Sequence, residues 1–330
     1  MTISEIREQP LPNDIVEKLI VAAEAHSKAE TLLIAYPEIG GIASELLSVL
    51  DARFYVWQTL GENVSIDDTI KAYAVGNSES HISKFIQIYK ACEGYAQKKK
   101  TEIGLLTAVD VIKINKAICN LEDSVLCEND LVFDSMPDIE SFWATLSELY
   151  NPTPQYHRIL ESAIALSRFM CYLGKEKLDI ATAQIIFSTL PEKSFAFGGM
   201  MAYWIRLTDP RTELSSLDRK DMLLHILTVF QTIWDFQSTL VDRLIVAKKN
   251  ISQNLESDCS GLNFTIIEQL LCGSLFFRIQ EVRETLSVSK MTAIKYLHLL
   301  ERLELLNSIK IGRDKFYFNS SYCDLMNDLI

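Results

Sequence analysis

Hydrophobic residues recur every three or four positions over most of the chain, and the stretches are separated by short polar or glycine-containing breaks, a pattern of helices joined by turns. After an arm over residues 1–12, Asn13 stands as a cap before Ile15, Leu19, Ala22 and Ala23. Leu46, Leu50, Phe54 and Trp57 share one face of a second helix from about Ile42 to Leu60, closed by Gly61-Glu62-Asn63. Ser65-Ile66-Asp67-Asp68 reads as the next helix start, Asn77 to Ser80 as a polar break, and Ile82 to Lys100 as a helix with Phe85, Ile88, Tyr89 and Cys92 inward. Its last residues, Lys98, Lys99 and Lys100, suit a helix C-terminus, where the macrodipole favours positive charge. Thr107 caps a helix running to about Ile118, and residues 120–135 form an acidic loop. Further helices are predicted from Pro137 to Tyr150, from Tyr156 to Leu173 (Ile159, Ala163, Leu166, Phe169 and Met170 inward) and from Ile180 to Leu190. One long helix, or two, covers Leu217 to about Leu255 with Leu224, Leu227, Phe230, Trp234, Leu240 and Leu244 on its apolar face, and Asp258 to Gly261 is the expected hinge.

Beyond the hinge the pattern changes. Phe264 to Leu275 opens a C-terminal unit, and Ile279, Val282 and Leu286 line one side of a short helix. Ser287 and Val288 make a tight connection. Ser289 can accept from the free N–H groups of a helix starting at Lys290, whose stripe is Ala293, Leu297, Leu300 and Leu303. The runs IKI and KFYF flank Gly312-Arg313-Asp314 as a β-hairpin. Two helices at a short turn followed by a hairpin form a winged helix-turn-helix, a layout that reads DNA or packs against a protein partner. The fold class is therefore mainly α: a multi-helix body over residues 1–256, followed by a small α+β winged helix-turn-helix domain over residues 257–330. If the module reads double-stranded DNA, Ser289, Lys290, Thr292, Lys295 and Tyr296 would meet it from the second helix, and Arg313 and Lys315 from the hairpin.

Composition fits that reading. Only 12 glycines and 8 prolines in 330 residues favour long helices, and 48% hydrophobic residues suffice for a core. No run approaches the roughly 18 apolar residues of a membrane span, and the N-terminus has no apolar signal region, so a cytoplasmic protein without membrane contact is expected. The net charge of −12 is unevenly spread: Arg278 to Ser320 carries eight Lys/Arg and five Asp/Glu, a net +3, leaving −15 for the remainder. Only the C-terminal tip is thus suited to approach phosphate. The seven cysteines at 92, 119, 127, 171, 259, 272 and 323 show neither metal-ligand nor disulfide-framework spacing, and read as small buried hydrophobes. Histidines 26, 81, 157, 225 and 298 stand alone, so no metal is expected, and no GxSxG, P-loop or GxGxxG run occurs.

The order of these parts resembles bacterial Fic-family proteins that carry a C-terminal winged helix, over about residues 12 to 325. LTAVDVIKINKAI (106–118), MPDIESFWATLSELYN (136–151) and TIWDFQSTLVDRLIVAKKNI (232–251) are similar to family helices, with the region from 12 to 100 as N-terminal helices and 101–256 as the core. Active members carry HPFxxGNGRxxR, which implies AMP transfer from ATP to a hydroxyl of a target protein: the histidine is general base, an acidic residue holds Mg²⁺, and the glycine loop and arginines bind phosphate. Here the histidine position falls on Leu173, the metal holder on Lys177, the GNG run on Leu178-Asp179-Ile180, and the arginines on Ala181 and Gln184. Leucine carries no exchangeable proton, Lys177 would repel a metal, and Ile180 closes a backbone nest that glycine keeps open. The resemblance therefore implies a degenerate site at Leu173, Lys177, Asp179, Ala181 and Gln184, with no cofactor. It points to a Fic-like pseudoenzyme acting as a DNA-binding transcriptional regulator, whose body serves homodimerisation or a protein partner. Two other readings remain: a divergent Fic-type adenylyltransferase, and an interaction scaffold.

Overall fold

The computed structural model describes residues 11–61, 64–75, 81–103, 106–119, 219–258, 264–311 and 314–329, together with 159, 160, 163 and 185. It is mainly helical, with a small three-stranded sheet near the C-terminus. Among the described residues no single helix is long and apolar enough to cross a membrane.

Helix α1 (Asn13–Ala35) begins one residue earlier than expected: Pro12 occupies the N-cap position, and Asn13 is the first helical residue. Proline's fixed φ suits that corner, and its carbonyl accepts from the N–H groups of Ile15 and Val16. The chain then turns by 118° at Tyr36 into α2 (Pro37–Leu60). This helix starts five residues before the expected Ile42, because Pro37 at the first helical position lacks an N–H that would have no partner there. Gly61, at φ 69, ends it in the left-handed region. Ser65 caps α3 (Ile66–Val75), its hydroxyl accepting from the Asp68 N–H. Helix α4 (His81–Ile103) follows, and Lys98 and Lys99 at its end pair with exposed Glu102. Thr107 and Asp110 form the reciprocal cap of α5 (Ala108–Cys119), with the Thr107 N–H donating to the Asp110 carboxylate at 2.9 Å.

The predicted helices between 137 and 190 lie outside the described residues, apart from Ile159, Leu160, Ala163 and Ile185, all helical and buried. The segment around 217–255 is one helix, α6 (Arg219–Asp258), of 40 residues. Its buried Leu227, Phe230, Trp234, Leu240 and Leu244 form the spine of the core, while Leu224 is half-buried. Helix α1 lies along α6, and three pairs fix their sense: Asp14 with Lys220 at 2.6 Å, His26 edge-on to Trp234 at 4.8 Å, and Glu38, just past α1, with Lys248 at 2.8 Å. Partners advance in step, so the two helices run parallel. Ala22, Ala25 and Ala29 are the buried residues that allow the close approach.

Helix α7 (Phe264–Gly273) packs on α6 and α2. It ends at Gly273, and Phe276–Arg278 form a strand, β1, which the sequence pattern did not predict. Then come α8 (Ile279–Thr285), α9 (Lys290–Arg302), β2 (Leu306–Ile311), β3 (Asp314–Asn319) and α10 (Ser320–Leu329). The sheet order is β1-β3-β2, all antiparallel, so β3 is central. Its run Phe316, Tyr317, Phe318 and Asn319 is wholly buried because both faces are covered. Tyr317 and Lys315 point to the side of α9, as the Lys315–Glu301 pair requires. Phe316 and Phe318 point to the body with Phe276 and Arg278, where Lys90 of α4 lies over the Phe276 ring and Arg278 donates to the Ala74 carbonyl of α3. Glu45 of α2 accepts the Leu275 N–H at 2.9 Å. The sheet is thus held between the helix-turn-helix and the body, within one continuous hydrophobic cluster.

Candidate nucleic-acid interface

Helices α8 and α9 and the turn between them form where the sequence places them, through terminal hydrogen bonds that can be traced one by one. Helix α8 closes with Ser287 at φ 50; the Ser287 N–H donates to the Glu284 carbonyl and the Val288 N–H to the Arg283 carbonyl. These two bonds satisfy carbonyls that have no partner within the helix. The Ser289 hydroxyl then accepts the Thr292 N–H at 3.2 Å and caps α9. The far end of α9 repeats the closure: Glu304 sits at φ 58, its N–H donates to the Glu301 carbonyl, and the Leu305 N–H reaches the Leu300 carbonyl. In between, Ala293, Leu297 and Leu300 are buried, and Leu303, the expected fourth member of the stripe, is a half-buried C-cap. Burying each leucine contributes about 1.5–3 kcal/mol.

The opposite face of α9 follows from that stripe. At about 100° per residue, Met291, Lys295, His298 and Arg302 fall directly opposite it. All four are exposed, Met291 at 65%. Of the residues expected to contact DNA, Lys295 is in this row and Lys290 is exposed beside it in the first turn. Neither makes an ion pair among the described residues. Tyr296 is half-buried on the flank, and Ser289 and Thr292 bond to each other as the cap, their hydroxyls 2.9 Å apart. Arg313 lies outside the described residues. Lys315 is engaged within the protein: its ammonium lies 2.9 Å and 3.0 Å from the two Glu301 oxygens and 4.7 Å from the centre of the Tyr317 ring. Glu301 also accepts from the Ser308 hydroxyl and meets His298 Nδ1 at 3.0 Å. Burial works against the Glu301 charge, but these bonds outweigh it and hold the carboxyl below the usual range. Met291, His298 and Arg302 were missed by sequence reasoning, although the offset of the polar positions from the 293-297-300 stripe contains them.

Residues 267–322 match the family model of the protein adenylyltransferase SoFic-like C-terminal domain. That span runs from α7 to the start of α10 and contains the whole helix-turn-helix and sheet. No curated protein matches the chain.

Leu173, Lys177, Asp179, Ala181 and Gln184, expected to mark a degenerate site, lie outside the described residues. Among the described residues, no group of three His, Cys, Asp or Glu side chains is placed to hold a metal ion. Cys92, Cys272 and Cys323 are buried free thiols, pushed by burial up to about 11, about 11 and about 12, which keeps them protonated and unreactive at neutral pH. Two half-buried acids, Glu45 of α2 and Glu93 of α4, lie in the body. Burial raises Glu45 and Glu93, opposed by the Leu275 N–H on the first and the Ser48 hydroxyl on the second.

Proposed function

We propose that the protein is a non-catalytic, Fic-like transcriptional regulator of the cytoplasm that binds double-stranded DNA through α9. The observation that carries this reading is the outward row Met291, Lys295, His298 and Arg302. It offers two cations and one apolar tip on a helix that follows a tight turn. In a major groove Lys295 would meet guanine acceptors and Met291 a thymine methyl, while Arg302 and Lys290 would meet phosphate. The local net charge of +3 against −15 elsewhere favours approach by this tip. The body would then pair two copies or receive a protein signal. Selection of bound fragments from random duplex DNA tests the reading: an enriched palindrome is expected, whereas no retention even at low salt would overturn it.

One observation favours a second reading. The C-terminal match is to a domain of adenylyltransferases, so the chain would transfer AMP using residues other than the absent motif. Label moving from labelled ATP onto protein in a lysate would establish that activity and remove the non-catalytic claim.

A further inference from the structure

We propose that Glu301 is a specificity-determining latch, which holds the wing lysine Lys315 away from DNA phosphate and so keeps sequence-independent binding weak. The inference rests on the reading of α9 as the DNA-contacting helix. Glu301 lies in the last turn of that helix, and its carboxylate takes bonds from both strands of the wing. Lys315 of β3 reaches its two oxygens at 3.0 Å and 2.9 Å, and Ser308 of β2 donates to one of them. The Glu301 side chain is only 22% exposed. Lys315 stands directly across the hairpin from Lys310. Like charges at that position repel, and Glu301 supplies the balancing charge.

With the Glu301 charge removed, Lys310 and Lys315 form an uncompensated pair on the wing beside α9, the arrangement that binds phosphate. Phosphate contacts add affinity on every sequence alike, whereas base contacts discriminate. A carboxylate that withholds one lysine therefore lowers non-specific affinity and leaves base reading to the outward row. A brace that merely joins α9 to the wing would use the same bonds, and salt dependence separates the two roles.

The experiment compares the full chain with its Glu301→Gln, Lys315→Gln and doubly substituted forms, binding a mixed-sequence duplex over a range of salt. Glutamine keeps the shape and an acceptor but not the charge. Glu301→Gln is expected to bind more tightly, with a log–log salt slope steeper by about 0.9, the equivalent of one phosphate contact. Lys315→Gln alone should leave the slope of the parent unchanged, and in the double form it should remove the gain. Without DNA, acylation of Lys315 read by mass spectrometry should rise in Glu301→Gln. Raised acylation with an unchanged slope overturns the latch and leaves a brace. A steeper slope that survives in the double form overturns Lys315 as the released group. No retention of duplex by any form overturns the DNA reading, and the latch with it. Should Glu301→Gln fail to fold, Lys315→Gln decides alone: a slope shallower by about 0.9 puts Lys315 on phosphate in the parent and refutes the latch.

Discussion

Asn319 ties three elements of the C-terminal unit together through one side chain. It ends β3, is fully buried, and stands at the N-cap of α10, where its Oδ1 accepts the Tyr322 N–H at 3.3 Å. Its Nδ2 donates to the Leu271 carbonyl at 2.8 Å. That carbonyl lies in the last turn of α7, and the N–H four residues on, at Leu275, is given to Glu45 instead. Asn319→Ala therefore removes a cap, at about 1 kcal/mol. It also leaves a buried acceptor without its donor, at about 1–3 kcal/mol, for a total near 2–4 kcal/mol. Urea denaturation followed by circular dichroism measures this total. A loss below about 0.5 kcal/mol would refute the assignment of both bonds, since even a weak cap is worth that much. Asn319→Asp adds a test of mechanism. An aspartate can still cap α10, but only its protonated form can donate to Leu271. Burial favours that neutral form and raises its folded-state pKa. The penalty is then small at acid pH and grows as pH rises from the unfolded-state value of about 4 up to the raised one. Relative to the parent, Asn319→Asp should be more stable at pH 5 than at pH 8, while Asn319→Ala should show no such difference. The opposite trend, or none, would mean that the Nδ2 bond does not contribute.

Four further outcomes are expected. Glu304→Gly should stabilise the fold by up to about 1 kcal/mol in urea titration, because φ 58 strains a side chain and suits glycine. Leu297→Ala removes a fully buried side chain from the α9 stripe and should cost about 2–5 kcal/mol by the same measurement. Glu45→Gln keeps an acceptor for the Leu275 N–H and removes a charge that burial disfavours. The folded-state pKa of Glu45 is raised, so its ionisation costs stability as pH climbs from about 4.5; the variant should gain on the parent between pH 4.5 and 8, seen in paired melting curves. Lys295→Glu with Arg302→Glu should abolish retention on duplex DNA while the circular dichroism spectrum is unchanged.

What could be read from the chain depended on how local its causes were. Ser289, Ala293, Leu297 and Leu300 announced α9 because a cap and a 3.6-residue stripe are properties of adjacent residues. Strand β1 is three residues long, too short for alternation to register, and exists through its pairing with β3. Helix α10 starts directly at the end of a strand, capped by an asparagine that reads equally well as a strand residue. The left-handed residues that end α8 and α9 are Ser287 and Glu304 rather than glycine, so neither turn carries the usual punctuation. The site behaved likewise. Exposure of Lys290 and Lys295 followed from the stripe, but the Lys315–Glu301 pair joins residues of β3 and α9 that only the folded hairpin brings together.

The unbroken length of α6 has a consequence for how the molecule comes apart. Forty residues at 1.5 Å each make a rod of about 60 Å. The first described helix, α1, and the last, α10, both lie against it. The chain is thereby clasped at both ends by one shaft, so fraying from either end would peel the same helix. Loss of structure should then spread through body and C-terminal unit as one cooperative event, not in two stages.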